Sequence, residues 1–139
     1  MKKSVLFALT VAFGALLSSC ETVETPAQIA AADYGPPPNA DYQQQVKNYV
    51  LGVLKDPLTA QYLFSQPTKG GVVHDVALAG GRPHFYWEVD VKINGKNSFG
   101  AYIGFQLYTF WFHNGKIMVG VGPDGIGFGP NGESVPVIP

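Results

Sequence analysis

The chain is predicted to fold as an α+β domain, an N-terminal amphipathic helix packed on a three- to four-stranded antiparallel β meander. Three observations carry that prediction. Tyr42, Val46, Tyr49, Val50, Val53 and Leu54 recur at helical spacing. Phe85, Trp87, Val89, Val91 and Ile93 alternate with Tyr86, Glu88, Asp90 and Lys92, a period-two pattern with one apolar face. Asn94-Gly95 and Asn114-Gly115 are the dipeptides that two-residue type I′ hairpin turns prefer. Seventeen Gly and eleven Pro in 139 residues, more than a helical domain carries, agree with turns and strands.

Ahead of that domain, Met1, Lys2 and Lys3 precede an uncharged apolar stretch from Val5 to Leu17, the pattern of a secretory signal peptide. The stretch is shorter than the roughly 18 to 20 residues a membrane-spanning helix needs. It ends Leu17-Ser18-Ser19-Cys20, which resembles the lipobox of bacterial lipoproteins. That resemblance implies removal of residues 1–19, a diacylglyceryl group on Cys20 and acylation of its new amino group. Several acyl chains, each contributing about 0.8 kcal/mol per buried methylene, give stable anchorage. By the sorting rule for such lipoproteins in two-membrane bacteria, Glu21 after the cysteine favours the outer membrane, facing the periplasm, if the source is Gram-negative. The alternative is an ordinary signal peptide with a chance cysteine. Acylation of the only cysteine leaves no thiol for a disulfide, so packing must hold the domain together.

Residues 20–40 read as a lipid-anchored tether, poor in large apolar side chains and ending in Tyr34-Gly35-Pro36-Pro37-Pro38-Asn39, with the proline run extended. The α+β domain spans 41–121. Its helix is expected over 41–55, capped by Asp41 or Asn39 with Gln44 at capping-box spacing, and ended by Pro57. Asp56-Pro57 then opens a short helical turn through Leu63. A first apolar run covers Gly71–Ala79, and Gly80-Gly81-Arg82-Pro83 turns the chain. If Asn94-Gly95 is a two-residue loop, Ile93 faces Lys96, Val89 faces Gly100, Trp87 faces Tyr102 and Phe85 faces Gly104. If Asn114-Gly115 is one too, Phe112 faces Ile117, Phe110 faces Val119 and Tyr108 faces Val121. All of these apolar residues then share one core face, beneath the helix. Gly100 and Gly104 would make room there for Trp87, Phe85 or the helix. A strand from Ser98 to Phe112 would be about 50 Å long at 3.3 Å per residue, so a bend or bulge is expected near Gly104. Residues 122–139, with five Gly and four Pro, read as a loosely ordered tail, though Ile126, Phe128, Val135, Val137 and Ile138 suit a sheet edge.

The opposite face carries Glu88 and Asp90 on one strand but Phe99, Ile103, Phe105, Leu107 and Trp111 on the next. It needs a cover, either the tail or helical turn, or else a partner protein, a second copy or the membrane. Two segments, Asp56-Pro57-Leu58-Thr59-Ala60 and Asn94-Gly95-Lys96-Asn97-Ser98-Phe99-Gly100-Ala101-Tyr102-Ile103-Gly104, resemble the paired motifs of a family of small bacterial lipoproteins of undefined role. The resemblance covers roughly residues 42–120 and implies an envelope lipoprotein, with no reaction attached. Relatives often carry a cysteine shortly before the second motif, and this chain does not.

Little in the sequence points to catalysis, and a non-enzymatic role is expected, without cofactor or metal. His74, His84 and His113 lack ligand-spaced partners. Glu88 and Asp90 lie two apart on one strand face, a spacing open to glycosidase chemistry, but a solvated strand face with Lys92 alongside is the preferred reading. Gly120-Val121-Gly122-Pro123-Asp124-Gly125 matches a dinucleotide fingerprint only in letters, because Gly127, Gly129 and Pro130 forbid the helix that must follow. Nine Lys and Arg less Lys2 and Lys3 leave seven basic side chains against ten acidic ones, a mature charge of -3 that disfavours nucleic acid. The expected role is a protein-interaction or structural module of the envelope, joined to the membrane by its lipid and meeting an envelope protein or itself. The alternative is binding of peptidoglycan, another glycan or a small ligand. Candidate binding residues are Lys96, Asn97 and Ser98 beside the hairpin, and Phe105 and Trp111 on the opposite face.

Overall fold

The structure, a computed structural model, describes residues 25–74 and 83–137. It is mostly an antiparallel sheet with a few short helices. Helix α1 (Pro26–Ala30) and helix α2 (Tyr42–Tyr49), the latter continued by a 3-10 turn at Val50–Gly52, precede seven strands. These are β1 (Gln61–Phe64), β2 (Thr68–His74), β3 (Pro83–Lys96), β4 (Tyr102–His113), β5 (Lys116–Val121), β6 (Gly127–Phe128) and β7 (Ser134–Val135). The order across the sheet is β1-β3-β4-β5-β6-β7, with β2 also paired to β3. Strands β1 and β2 share one edge of β3, β1 along Val91–Asn94 and β2 along Pro83–Glu88. Ser65 joins them, its backbone N–H donating to the Asp90 carbonyl while its hydroxyl accepts from the Asp90 N–H. The signal peptide, Cys20, the end of the Gly71–Ala79 run and the Gly80–Arg82 part of the turn lie outside the described residues.

Several sequence expectations change. Strand β3 runs on through Asn94-Gly95, and the turn falls at Asn97–Ala101. Trp87 therefore pairs with Phe112, Val89 with Phe110, Val91 with Tyr108 and Ile93 with Gln106, not with the residues a two-residue loop would select. The displacement is an even number of residues, so the β3 and β4 side chains assigned to the core still face it, except Tyr102, which lies beyond the bulge opposite Lys96 and is exposed. The bulge expected near Gly104 is present: β4 holds one residue more than β3 between the Lys96–Tyr102 and Asn94–Phe105 pairs. Gly100 and Gly104 have φ of +78° and +91° with no neighbour near a would-be Cβ. They supply left-handed backbone for turn and bulge, not space for Trp87.

At the second hairpin the two-residue turn is as expected, with positive φ at Asn114 and Gly115 and Phe112 opposite Ile117. Met118 is then an extra residue in β5, so Trp111, not Phe110, pairs with Val119. Val119 and Val121 move to the opposite face, and Gly120 takes the core side. The ring of Phe128 lies where a Gly120 Cβ would stand, 2.4 Å away. The helix too is shorter than 41–55. It tightens at Val50–Gly52, where the Gly52 backbone abuts Pro130 so closely that a Cβ would lie 2.5 Å from that carbonyl oxygen. Asp41 is the N-cap residue but accepts from the Gln45 side chain instead of a backbone N–H, and Gln44 bonds Asn48, so no capping box forms. Gln61–Phe64 is strand, not the end of a helical turn, because Tyr62 and Phe64 face the core and Gln61 and Leu63 face out.

The core lies between α2 and one face of the sheet: Tyr42, Val46 and Val50 against Val89, Val91, Ile93, Phe110, Phe112 and Phe128. Phe128 comes from the segment expected to be loosely ordered. Its ring meets Tyr49, Tyr108 and Phe110 at about 6 Å, and the Tyr49 hydroxyl donates 2.9 Å to its carbonyl. On the other face Val135 and Val137 pack on Tyr86, Trp111 and Val119. The tail thus covers part of both faces. Upstream, Tyr34 is buried against Phe85 and Trp87, the Trp87 indole donates 3.1 Å to the Gly35 carbonyl, and the Lys69 ammonium sits 4.7 Å over the Tyr34 ring. The sheet holds the chain from Tyr34 onward. Truncating the tail's anchor, Phe128→Ala, is expected to cost about 3–5 kcal/mol, measured by urea unfolding.

Candidate functional site

Asn97 builds the β3–β4 turn. Its Oδ1 accepts from the N–H groups of Phe99 (2.9 Å) and Ala101 (3.1 Å), and its own N–H donates to the Ala101 carbonyl. Three ties bind this turn to residues 55–59. The Lys55 ammonium donates to the Ser98 hydroxyl, Lys96 pairs with Asp56 at 3.5 Å, and the Tyr102 hydroxyl donates 2.9 Å to the Thr59 carbonyl. The two short motifs of the sequence thus meet in space. Thr59 donates its hydroxyl to Asp56 at 2.6 Å, and this bond, with Lys96 beyond it, holds the Asp56 carboxyl below its ordinary pKa. Lys96 also lies 5.2 Å from the Tyr102 ring centre.

Between bend and turn is an open cleft of about 340 Å³, walled by Val53, Leu54, Ile93, Phe99, Ile103 and Tyr108. Lys55, Lys96, Asn97 and Ser98 also line it. Three of the five sequence candidates therefore stand together. Each has a partner within the protein: Lys96 in Asp56, Asn97 in the turn backbone, Ser98 in Lys55.

Phe105 and Trp111 separate. Trp111 is 9% exposed beneath the tail, stacked on Tyr86 at 4.5 Å, with no hydrogen-bond partner for its indole N–H. Phe105 remains 47% exposed. Opposite Lys92 stand Leu63 of β1 and Leu107 of β4, both exposed, and Phe105 pairs with Asn94 in the next row. The outer face is thus covered at the Trp111 end and open at the Phe105 end. Among the described residues, Leu63, Phe105 and Leu107 are exposed on that open end, while Phe99 and Ile103 are exposed at the β3–β4 turn. Lys55 and Leu63 were not singled out from sequence. The Asp-Pro-x-Thr motif that follows Lys55, and the alternation of Gln61 to Phe64, were the available signals.

Asp90 accepts a 2.7 Å bond from Thr109 and lines a shallow outer-face cleft with Leu63, Lys92 and Leu107. Glu88 is raised above the ordinary carboxylate pKa, first by partial burial and then by the charge of Asp90. His113 lies with Nδ1 3.0 Å from the Phe85 carbonyl oxygen. The Gly120–Gly125 segment leads through a tight turn, Gly125 N–H to Gly122 carbonyl, into β6. Among the described residues no group of three or more His, Cys, Asp or Glu is placed to hold a metal, and no helix is long and apolar enough to cross a membrane. Comparison with known proteins returns no matching family model, no matching curated protein and no matching solved structure.

Two substitutions distinguish the halves of the outer face. Trp111→Asp places a charge beneath the tail and is expected to unfold the domain, costing more than about 3 kcal/mol, whereas Phe105→Asp stays within about 1 kcal/mol, both read by thermal unfolding. Glu88 adds a pH dependence. A carboxyl whose folded pKa lies above its unfolded value binds its proton more tightly when folded, so its contribution turns unfavourable as pH rises through those values. Glu88→Gln is expected to raise Tm at pH 7, with the gain vanishing as pH falls below the ordinary carboxylate range.

Proposed function

We propose that this chain is a lipid-anchored, non-catalytic interaction module of the bacterial cell envelope, α+β in class, with α2 laid on the β3-β4-β5 meander. The lipobox-like Leu17-Ser18-Ser19-Cys20 supports the anchor, and the resemblance of residues 42–120 to small envelope lipoproteins supports the compartment. An outer-membrane position facing the periplasm fits Glu21.

The observation that carries the role is the open end of the outer face. Leu63, Phe105 and Leu107 form an uncovered apolar row around Lys92, while the tail covers the Trp111 end of that face. Apolar surface gathered in one place marks an interface rather than ordinary scatter. Tyr34 fixes the tether beside Trp87, so the open end lies roughly 20 Å away along β3 at about 3.3 Å per residue. An envelope protein, reached across that distance, is the partner this arrangement suits. The glycan alternative draws on Lys96, Asn97 and Ser98, and their internal partners weigh against it.

The test is photo-crosslinking in living cells with the full lipidated chain, a photoreactive residue replacing Phe105, Leu107 or, at the opposite end, Lys116. A discrete higher-mass adduct at 105 and 107 but not at 116 is expected. Equal labelling at 116, or none at 105 and 107 in a correctly localised protein, overturns the reading.

A further inference from the structure

We propose that the cleft between the Val53–Lys55 bend and the β3–β4 turn binds a single-chain anionic amphiphile, a fatty acid whose carboxylate meets Lys55. This site lies on the helix side of the sheet and is separate from the outer-face row. Its walls are apolar from both sides, Val53 and Leu54 on the bend against Ile93, Phe99, Ile103 and Tyr108 on the strands and turn. At about 340 Å³ the volume falls at the small end of ligand sites, which selects one acyl chain over two. Phe99 and Ile103, 94% and 54% exposed, would be taken out of water by such a chain.

The charges at the mouth do not balance. Lys96 is matched by Asp56, but Lys55 meets only the neutral Ser98 hydroxyl, and among the described residues no carboxylate pairs with it. The mouth therefore carries one unmatched positive charge on a chain whose net charge is -1. A carboxylate completes Lys55 with a charge-assisted hydrogen bond while its chain lies on the apolar walls. A neutral sugar would leave the lysine unmatched and would face walls with few polar groups. A cationic amphiphile of the same length would set charge against charge.

The test uses membranes from cells producing the full chain, irradiated with dodecanoic acid bearing a terminal diazirine, with adducts mapped by mass spectrometry. Labelling is expected on residues 53–55 and 93–108, competed by excess dodecanoate and not by dodecyltrimethylammonium. Lys55→Glu is expected to lower cleft labelling about tenfold while labelling elsewhere on the chain is unchanged, and Lys55→Arg to preserve it. Protease resistance in the same membranes checks the fold of Lys55→Glu, and Ile103→Glu, which sets a carboxylate in the apolar wall, is an independent second variant expected to lower cleft labelling likewise. Labelling confined to other segments, equal competition by both amphiphiles, or undiminished labelling of Lys55→Glu overturns the proposal.

Discussion

Strand β4 is apolar on both faces, and the described elements do not bury both. Tyr108, Phe110 and Phe112 point toward the helix, while Phe105, Leu107 and Trp111 point away. The hydrophobic effect demands cover for each row. One short helix, α2, takes the inner face with Val46 and Val50, both fully buried. On the outer face, the described cover comes from the last stretch of chain, Val135 and Val137. Its placement depends on the bulge at Met118, which turns Val119 outward to receive Val135 and Val137 and sets Gly120 inward beneath the Phe128 ring. Without that extra residue, Val119 and Val121 would occupy the volume that Phe128 fills, and Trp111 would lose the valine beside it. A single inserted residue therefore divides the tail between both layers. The row from Leu63 through Lys92 to Leu107 stays exposed.

The open end is nonetheless firmly built. Asn97 satisfies the turn backbone from within, and Lys55, Asp56 and Thr59 reach across to Ser98, Lys96 and Tyr102. Each tie is exposed and individually modest, since surface ion pairs contribute about 0–1 kcal/mol. Their joint effect is geometric: they keep the bend and the hairpin tip at a fixed separation, so the apolar walls between them form a cleft instead of collapsing. The exposed Phe99 beside it is then a consequence of turn geometry, because Gly100 at positive φ and the Asn97 bonds hold the backbone that carries it.

Periodicity made the core legible. The alternation from Phe85 to Ile93 identified every β3 residue that packs inward, and an even register displacement left those identities intact although the loop was misplaced. Asn114-Gly115 was read correctly because both positions adopt the positive φ that such turns require. Asn94-Gly95 was not, because Asn94 serves instead to accept the Gly104 N–H at 2.9 Å and to bond Gln61, both within the ladder. Strand β1 was hidden by Asp56-Pro57, a helix-start signal that here only bends the chain, and four residues are too few to outvote it. The bulge at Met118 and the double role of the tail depend on contacts distant in sequence, which no local pattern encodes. For the same reason Lys96, Asn97 and Ser98 could be grouped from sequence by proximity, whereas Lys55 joins them only through the fold.

The two ends of β3 differ in what they present. At the Phe85–Trp87 end, Tyr34, Gly35 and Lys69 close over the aromatic rings, so the tether reaches the sheet at a fixed point. At the other end, apolar side chains remain uncovered. With Cys20 acylated, as we propose, thirteen residues separate the lipid from the fixed Tyr34, and even fully extended they span no more than about 45 Å. Helix α1, one capped turn in which Thr25 and Gln28 satisfy each other, shortens that reach because a helix advances only about 1.5 Å per residue. A surface meant for the anchoring membrane would gather its apolar and basic groups around the tether end. Here the exposed Leu63, Phe99, Phe105 and Leu107 gather at the far end, with Lys55 and Lys92 among them. On the proposed anchorage, the polarity of the molecule therefore favours ligands approached from the side away from the bilayer.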